Sequence, residues 1–311
     1  MTQTTPNSTI RALMMLVIGI LAVSLAAVFI RLAQEENVPS LVIAGGRLLV
    51  ATVLLIPIII QRADYRAQIQ TVSRQDALLI LISGIFLSLH FVTWISSLEY
   101  TSVLISGVLV TTSPIWVAIL EVFVLKSRLS WGVILGLGMA LIGGIIIATP
   151  SGGTITPPTA DNPFLGGILA VLGAMAVAVY LIIGRKMRGK IALTPYIFMV
   201  YGVGAITTMI VILITNTPFL GLSSAGYGWV ILMAVMPQLI GHTSLNYALG
   251  YLPATIVSLS TQTEPIFSAI GAFLVFGELP SWAQGLGGAI VLISVVSATI
   301  SNANHNKRKE A

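Results

Sequence analysis

Residues 111–125 read TTSPIWVAILEVFVL and residues 261–282 read TQTEPIFSAIGAFLVFGELPSW. A shift of 151 positions lays one on the other: Pro114 falls on Pro265 and Ile115 on Ile266. The same shift carries Tyr100 onto Tyr251 and Ser130-Trp131 onto Ser281-Trp282. Farther out, the pentapeptide GILAV stands at 19–23 and again at 167–171. A shared pentapeptide is weak in so apolar a chain, but several matches at one offset across three helices mark a duplicated unit.

Each stretch belongs to one of ten apolar runs, at 11–32, 40–60, 77–97, 101–124, 131–149, 164–184, 194–214, 227–247, 253–276 and 281–300. A bilayer core of ~30 Å takes about 20 apolar residues per helix, and runs of this length use nearly the whole chain. Composition agrees. Of 311 residues, 56% are hydrophobic and 8% charged, where soluble domains carry about 25% charged residues. Five runs belong to each copy, and five is odd, so the second copy enters the membrane upside down, as in inverted-repeat transporters. The sequence therefore predicts an all-α integral membrane protein with ten transmembrane helices as two inverted five-helix repeats. It divides into a cytoplasmic N-terminal segment 1–10, a first repeat 11–149, a Pro-, Gly- and Thr-rich external joint 150–163, a second repeat 164–300 and a basic cytoplasmic tail 301–311. No small-residue cleavage site follows the first run, which reads as a retained span.

Lys and Arg set the orientation. With the N-terminus in the cytoplasm, the inside segments hold Arg11, then Arg62, Arg66 and Arg74, then Lys126 and Arg128, then Arg185, Lys186, Arg188 and Lys190, and finally Lys307, Arg308 and Lys309. Outside segments hold Arg31, and Arg47 lies within the second run. This alternation predicts a multi-pass protein of the cell (inner) membrane with both termini cytoplasmic. It also accounts for the formal charge of +5 without nucleic acid. The absence of cysteine excludes a disulfide framework, thiol catalysis and thiolate metal sites.

Polar residues inside the runs are the candidate site. Glu264 lies about eleven residues into the ninth run, near the midplane at 1.5 Å per residue. An ionised group there costs ~2.5–3.5 kcal/mol, so it should face a cavity, find a partner or take a proton. Arg47 in the second run must snorkel or pair, and its planar fork suits a carboxylate. His90 and Trp94 in the third run, and Gln238, His242 and Asn246 in the eighth, recur every four residues and so share a helical face. Gln262 flanks Glu264, and Tyr201 stands in the seventh run. Each has a plain structural alternative in inter-helix hydrogen bonding, packing or an aromatic belt. Pro114 and Pro265 leave the carbonyls of Val110 and Thr261 without helical donors, among Thr111, Thr112, Ser113, Thr261, Gln262 and Thr263. The two prolines are candidate hinges. Glu121, close to the inner end of the fourth run, can reach the interface, and Trp131 and Trp282 read as interfacial anchors. Two histidines without spaced carboxylates or thiols make no metal site.

The two stretches quoted first resemble the EamA-type domain of the drug/metabolite transporter superfamily. The Glu264-Pro265 pair and the Gly277-Glu278 pair are the recognisable pieces. Arg47 and Tyr201, at corresponding places in the second and seventh runs, also fit. The resemblance covers about 14–148 and 165–300, and implies ten helices, cytoplasmic termini and export of amino acids or other small metabolites. The first half carries Lys126-Ser127-Arg128 where such domains often have Gly-Glu-Arg, so a mechanism needing a symmetric pair of these glutamates is not expected.

The reading that follows is a secondary transporter working by alternating access around a midplane cavity. Its walls would come from the third, fourth, eighth and ninth runs, with Arg47 from the second. One arginine, one glutamate, amides, imidazoles and an indole suit a zwitterionic solute such as an amino acid. Multidrug or cation efflux, lipid translocation and a non-transporting membrane sensor remain alternatives. No aspartate lies within a run, and no HExxH, GxSxG or P-loop occurs, which speaks against an enzyme or an ATP-driven pump. Expected partners are a small-molecule substrate and the bilayer. The chain is expected to work as a monomer or weak homodimer, without cofactor, with proton coupling open.

Overall fold

A computed structural model describes residues 6–100, 106, 109–147, 162–277 and 281–310. Residues 150–161 of the joint and Glu278 lie outside them. The described residues hold helices and no strands. The first run is split into α1 (Pro6–Ser24) and α2 (Ala26–Glu35). The second is α3 (Ser40–Gln61), followed by a short helix, α4 (Ala63–Gln70), inside what reads as a polar connection. Next come α5 (Arg74–Tyr100), α6 (Ser113–Leu125) and α7 (Trp131–Ile147). The second half opens with α8 (Pro163–Met187) and α9 (Leu193–Ile214). The eighth run is α10 (Ser224–Met233), a π-helical segment (Ala234–His242) and α11 (Thr243–Ala248). The ninth is α12 (Ala254–Thr261) and α13 (Glu264–Phe276), and the tenth is α14 (Trp282–Glu310), which carries the expected tail 301–310 on as helix.

Among the described residues, seven stretches are long and apolar enough to cross a bilayer, and α6 and α7 are shorter apolar helices. Their outward faces are hydrophobic. Trp131 and Trp282, at the starts of α7 and α14, are 78% and 85% exposed, as membrane-interface residues would be in this fold.

The helices pair as two intertwined units. α8 packs along α5, and α1 packs along the π segment and α11, so the first helix of each half lies on the third of the other. α3 packs on α9, α6 on α12, and α7 on α14, each with its own counterpart. Small residues allow the closest approaches, as expected where apolar burial no longer separates helix from lipid. A Cβ on Gly287 would stand 2.5 Å from Gly143 O and 2.7 Å from Ile147 N, whereas one on Gly138 would meet nothing within 4 Å. Gly287→Ala should therefore cost about 1–3 kcal/mol through overpacking. Gly138→Ala in α7 should gain about 0.5–1 kcal/mol of helix stability. Thermal unfolding in detergent will show the two variants moving in opposite directions.

Pro114 and Pro265, the two candidate hinges, follow full interruptions of the helix. The backbone turns at Thr111–Thr112 and at Gln262–Thr263 before α6 and α13 begin. Equivalent tight bonds form at both: Thr112 N to Leu109 O and Thr263 N to Ser260 O, then Ile115 N to Thr112 O and Ile266 N to Thr263 O. Hydroxyls take up the loosened carbonyls, Thr112 Oγ1 donating to Leu109 O at 2.7 Å and Thr263 Oγ1 to Ser260 O at 2.8 Å. Proline supplies no amide and so ends the ladder here, and the threonines make the break tolerable at membrane depth. Both following helices close on a left-handed residue at the shared offset, Lys126 (φ 52°) and Gly277 (φ 71°).

Candidate functional site

Arg47 is the centre of the described polar cluster. It sits in α3, 1% exposed. The two glycines before it explain how a charged residue comes to lie there. A Cβ on Gly45 would touch Thr208 and Ile212 of α9, and one on Gly46 would stand 2.5 Å from Val230 of α10. Their smallness lets α3 press between those helices and turns Arg47 inward. Its Nε donates to Gln238 Oε1 at 3.0 Å, and its guanidinium carbon stands 4.0 Å from the centroid of Phe91.

Gln238 and His242 lie in the π segment. Pro237 removes an amide there, and the wider winding has Gln238 O accept the Thr243 amide five residues on, with side-chain donors beside it. Tyr201 OH donates to it at 3.4 Å, and Tyr201 also bonds Thr243 Oγ1 at 3.3 Å. Gly241 fixes the segment against α1, since a Cβ there would stand 2.6 Å from Val23 Cγ1. Asn246 donates to His242 O at 2.8 Å and to Tyr180 OH. His242 meets the Phe91 ring edge-on at 5.3 Å and lies 6.2 Å from that of Tyr180. His90 bonds Gly173 O through Nδ1 at 2.9 Å and stacks on Trp94, the rings 5.9 Å apart.

The structure thus gathers Arg47, His90, Tyr201, Gln238, His242 and Asn246, with Trp94 on the flank of His90. Glu264 stands at the head of α13 and is half-buried, and its charge interacts with that of Arg47 without a direct ion pair. Gln262 is buried beside it. Its Nε2 donates to Thr111 O at 2.6 Å, tying one helix interruption to the other. Sequence reasoning passed over Phe91. Leu87, Phe91 and Ile95 are the positions that the 151-residue offset sets against Gln238, His242 and Asn246, and that offset could have found it. Glu121, expected near the interface, is buried instead.

Four buried polar atoms of this cluster have no hydrogen-bond partner: Arg47 Nη2, Gln238 Nε2, His242 Nδ1 and Asn246 Oδ1. Each such group costs about 1–3 kcal/mol if left unsatisfied. Four together, beside buried hydroxyls that do pair between helices (Ser83 with Tyr196, Ser88 with Thr208), point to a solute or water as partner. They offer donors beside a fixed cation and an acceptor beyond it. No group of three metal-ligating side chains occurs among the described residues.

The profile of the EamA-like transporter family matches residues 10–149 and again 164–300. The transporter YcxC of Bacillus subtilis, itself uncharacterised, is 22% identical over 92% of each chain. Solute carrier family 35 member G1 of Mus musculus is 24% identical over 89% of this chain and 75% of its own. The pseudopaline exporter CntI of Pseudomonas aeruginosa is 21% identical over 72% of this chain and 76% of its own. A solved crystal structure superposes with a TM-score of 0.73 at 16% identity, over 96% of this chain and 98% of that one, a likeness of fold.

Proposed function

Because the chain belongs to the EamA-like transporter family, we propose that it exports small zwitterionic metabolites, amino acids foremost, from the cytoplasm by alternating access. The observation that carries this reading is the set of four unpartnered polar atoms around Arg47. Arg47 Nη2 and Gln238 Nε2 are donors held together by the bond between their side chains, and a carboxylate accepts from two such donors at once. Glu264 supplies the opposite charge for an ammonium group. Its carboxylate makes no hydrogen bond among the described residues, which leaves it free to take a substrate amine or a proton. We read the transport as proton-coupled on that ground. The pseudopaline exporter among the relatives supports the outward direction. The thirteen basic residues of the inside segments support cytoplasmic termini in the inner membrane. A single chain supplies every residue of the cluster, in keeping with a working monomer.

The test is uptake of a labelled amino-acid panel into proteoliposomes, with and without an imposed pH gradient. Saturable uptake of one class, driven by the gradient, is expected. Saturable uptake indifferent to the gradient would replace proton coupling with facilitated exchange. No uptake of any amino acid by folded protein would move the substrate to drugs, other metabolites or lipids.

A further inference from the structure

Glu121 is a buried carboxylate outside the polar cluster, and it holds another helix by its end. α12 starts after Pro253, which offers no side-chain cap. The first amides of that helix are met from α6. Glu121 Oε1 accepts from Ala254 N at 3.1 Å and Oε2 from Thr255 N at 2.7 Å, and the Thr255 hydroxyl donates to the same oxygen. The carboxylate stands where the helix dipole is positive. The other side of the same short link is held by α8. Arg185 donates to Leu249 O at 2.7 Å, at the C-terminus of α11, and its charge interacts with Glu121. Residues 249–255 are thereby gripped at both helix ends, at the end of the bundle that carries Arg185, Lys186, Arg188 and Lys190.

From this grip to the interruption at Gln262–Thr263 runs α12, about 12 Å long. Midway stands Ser258, 1% exposed, its hydroxyl without a partner. The position that corresponds to Glu121 in the second half is Ala272, which has no carboxylate to offer.

We propose that Glu121 closes the solute path at this end. Its carboxylate holds α12 against α6 while the polar cluster serves the opposite side, and it releases both amides once in each transport cycle. The inference rests on the transport reading above. In it Glu121 is a positioning residue, acting through α12 and not by touching the solute.

Because the chain contains no cysteine, Ser258→Cys gives it a single thiol on α12 between the grip and the cluster. The measurement is the rate at which a membrane-impermeant maleimide, added from the end that carries Arg185, modifies that thiol. Slow reaction is expected with Glu121 intact. Glu121→Gln and Glu121→Ala should raise the rate about ten- to hundred-fold, the shift in an opening equilibrium when charge-assisted bonds are lost. Glu121→Asp should fall between. Unchanged rates in variants that stay monodisperse overturn the proposal. Should Glu121→Ala fail to fold, Glu121→Gln and Arg185→Gln carry the same comparison, and wild-type rates in both are equally fatal. Accelerated labelling in a protein that carries no solute would strike the transport reading and leave the latch standing. Normal uptake with labelling indifferent to Glu121→Gln would strike the latch alone.

Discussion

Glu264→Gln is expected to lower gradient-driven uptake by about 10- to 100-fold, the worth of losing hydrogen bonds to a charged group, while leaving the protein at least as stable as the wild type. The two halves of that expectation come from one fact. A carboxylate at the head of α13, half-buried and without a hydrogen bond among the described residues, gives the fold only its charge interaction with Arg47 to lose when it is replaced by a neutral isostere. Membrane insertion charges ~2.5–3.5 kcal/mol for such an ion at the centre of a helix, and the amide relieves that cost. Uptake and thermal unfolding on the same preparation separate the possibilities. Lost uptake with unchanged or raised unfolding temperature makes Glu264 a working residue. Unchanged uptake makes it structural, and a fall in both would mean it holds α13 in place.

Arg47→Lys should raise the half-saturation constant for a carboxylate-bearing solute by a similar 10- to 100-fold, with a smaller effect on the maximal rate. Lysine keeps the charge but loses what the geometry uses. The guanidinium at once bonds Gln238 Oε1, lies 4.0 Å from the Phe91 ring and keeps Nη2 unengaged. A single ammonium on a flexible stem cannot hold those three relations together. An equal effect on solutes with and without a carboxylate would mean that Arg47 shapes the cluster but does not bind that group. The informative comparison is therefore an amino acid against its amide, in wild type and variant.

Much of the architecture was legible because the bilayer imposes it. Runs of the right length, an odd number in each copy and alternating basic connections leave little freedom. The polar cluster that forms the candidate site was legible through the cost of polar side chains in apolar runs, which singled out Arg47, Gln238, His242 and Asn246. What stayed hidden depends on partners far away in the chain. The break at Leu25 follows Ser24, whose hydroxyl turns back to Ile20 O while Ser268 of α13 takes Ser24 O. The π segment contains Pro237, and hydroxyls of Tyr201 in α9 and Thr243 in α11 reach its Gln238 O. Glu121 was assigned to the interface from its distance along its own helix, yet its three donors lie more than 130 positions on. In helices that are apolar all round, periodicity says little about which face turns inward, so Phe91 could be found only through the repeat.

The contact between Gln262 and Thr111 joins positions that are each other's counterparts, so the two interruptions meet at the axis relating the halves. Glu264 and its own counterpart, Ser113, follow directly. A homodimer of identical five-helix chains would have to place the same residue on both sides of such an axis. A glutamate there would face its own image, and two like charges at short range in a poorly solvated site cannot both remain ionised. Joining the copies in one polypeptide removes that requirement of self-complementarity. One side could then take a lone carboxylate and the other a hydroxyl, and charge asymmetry became available to a fold whose two halves pair helix against counterpart helix.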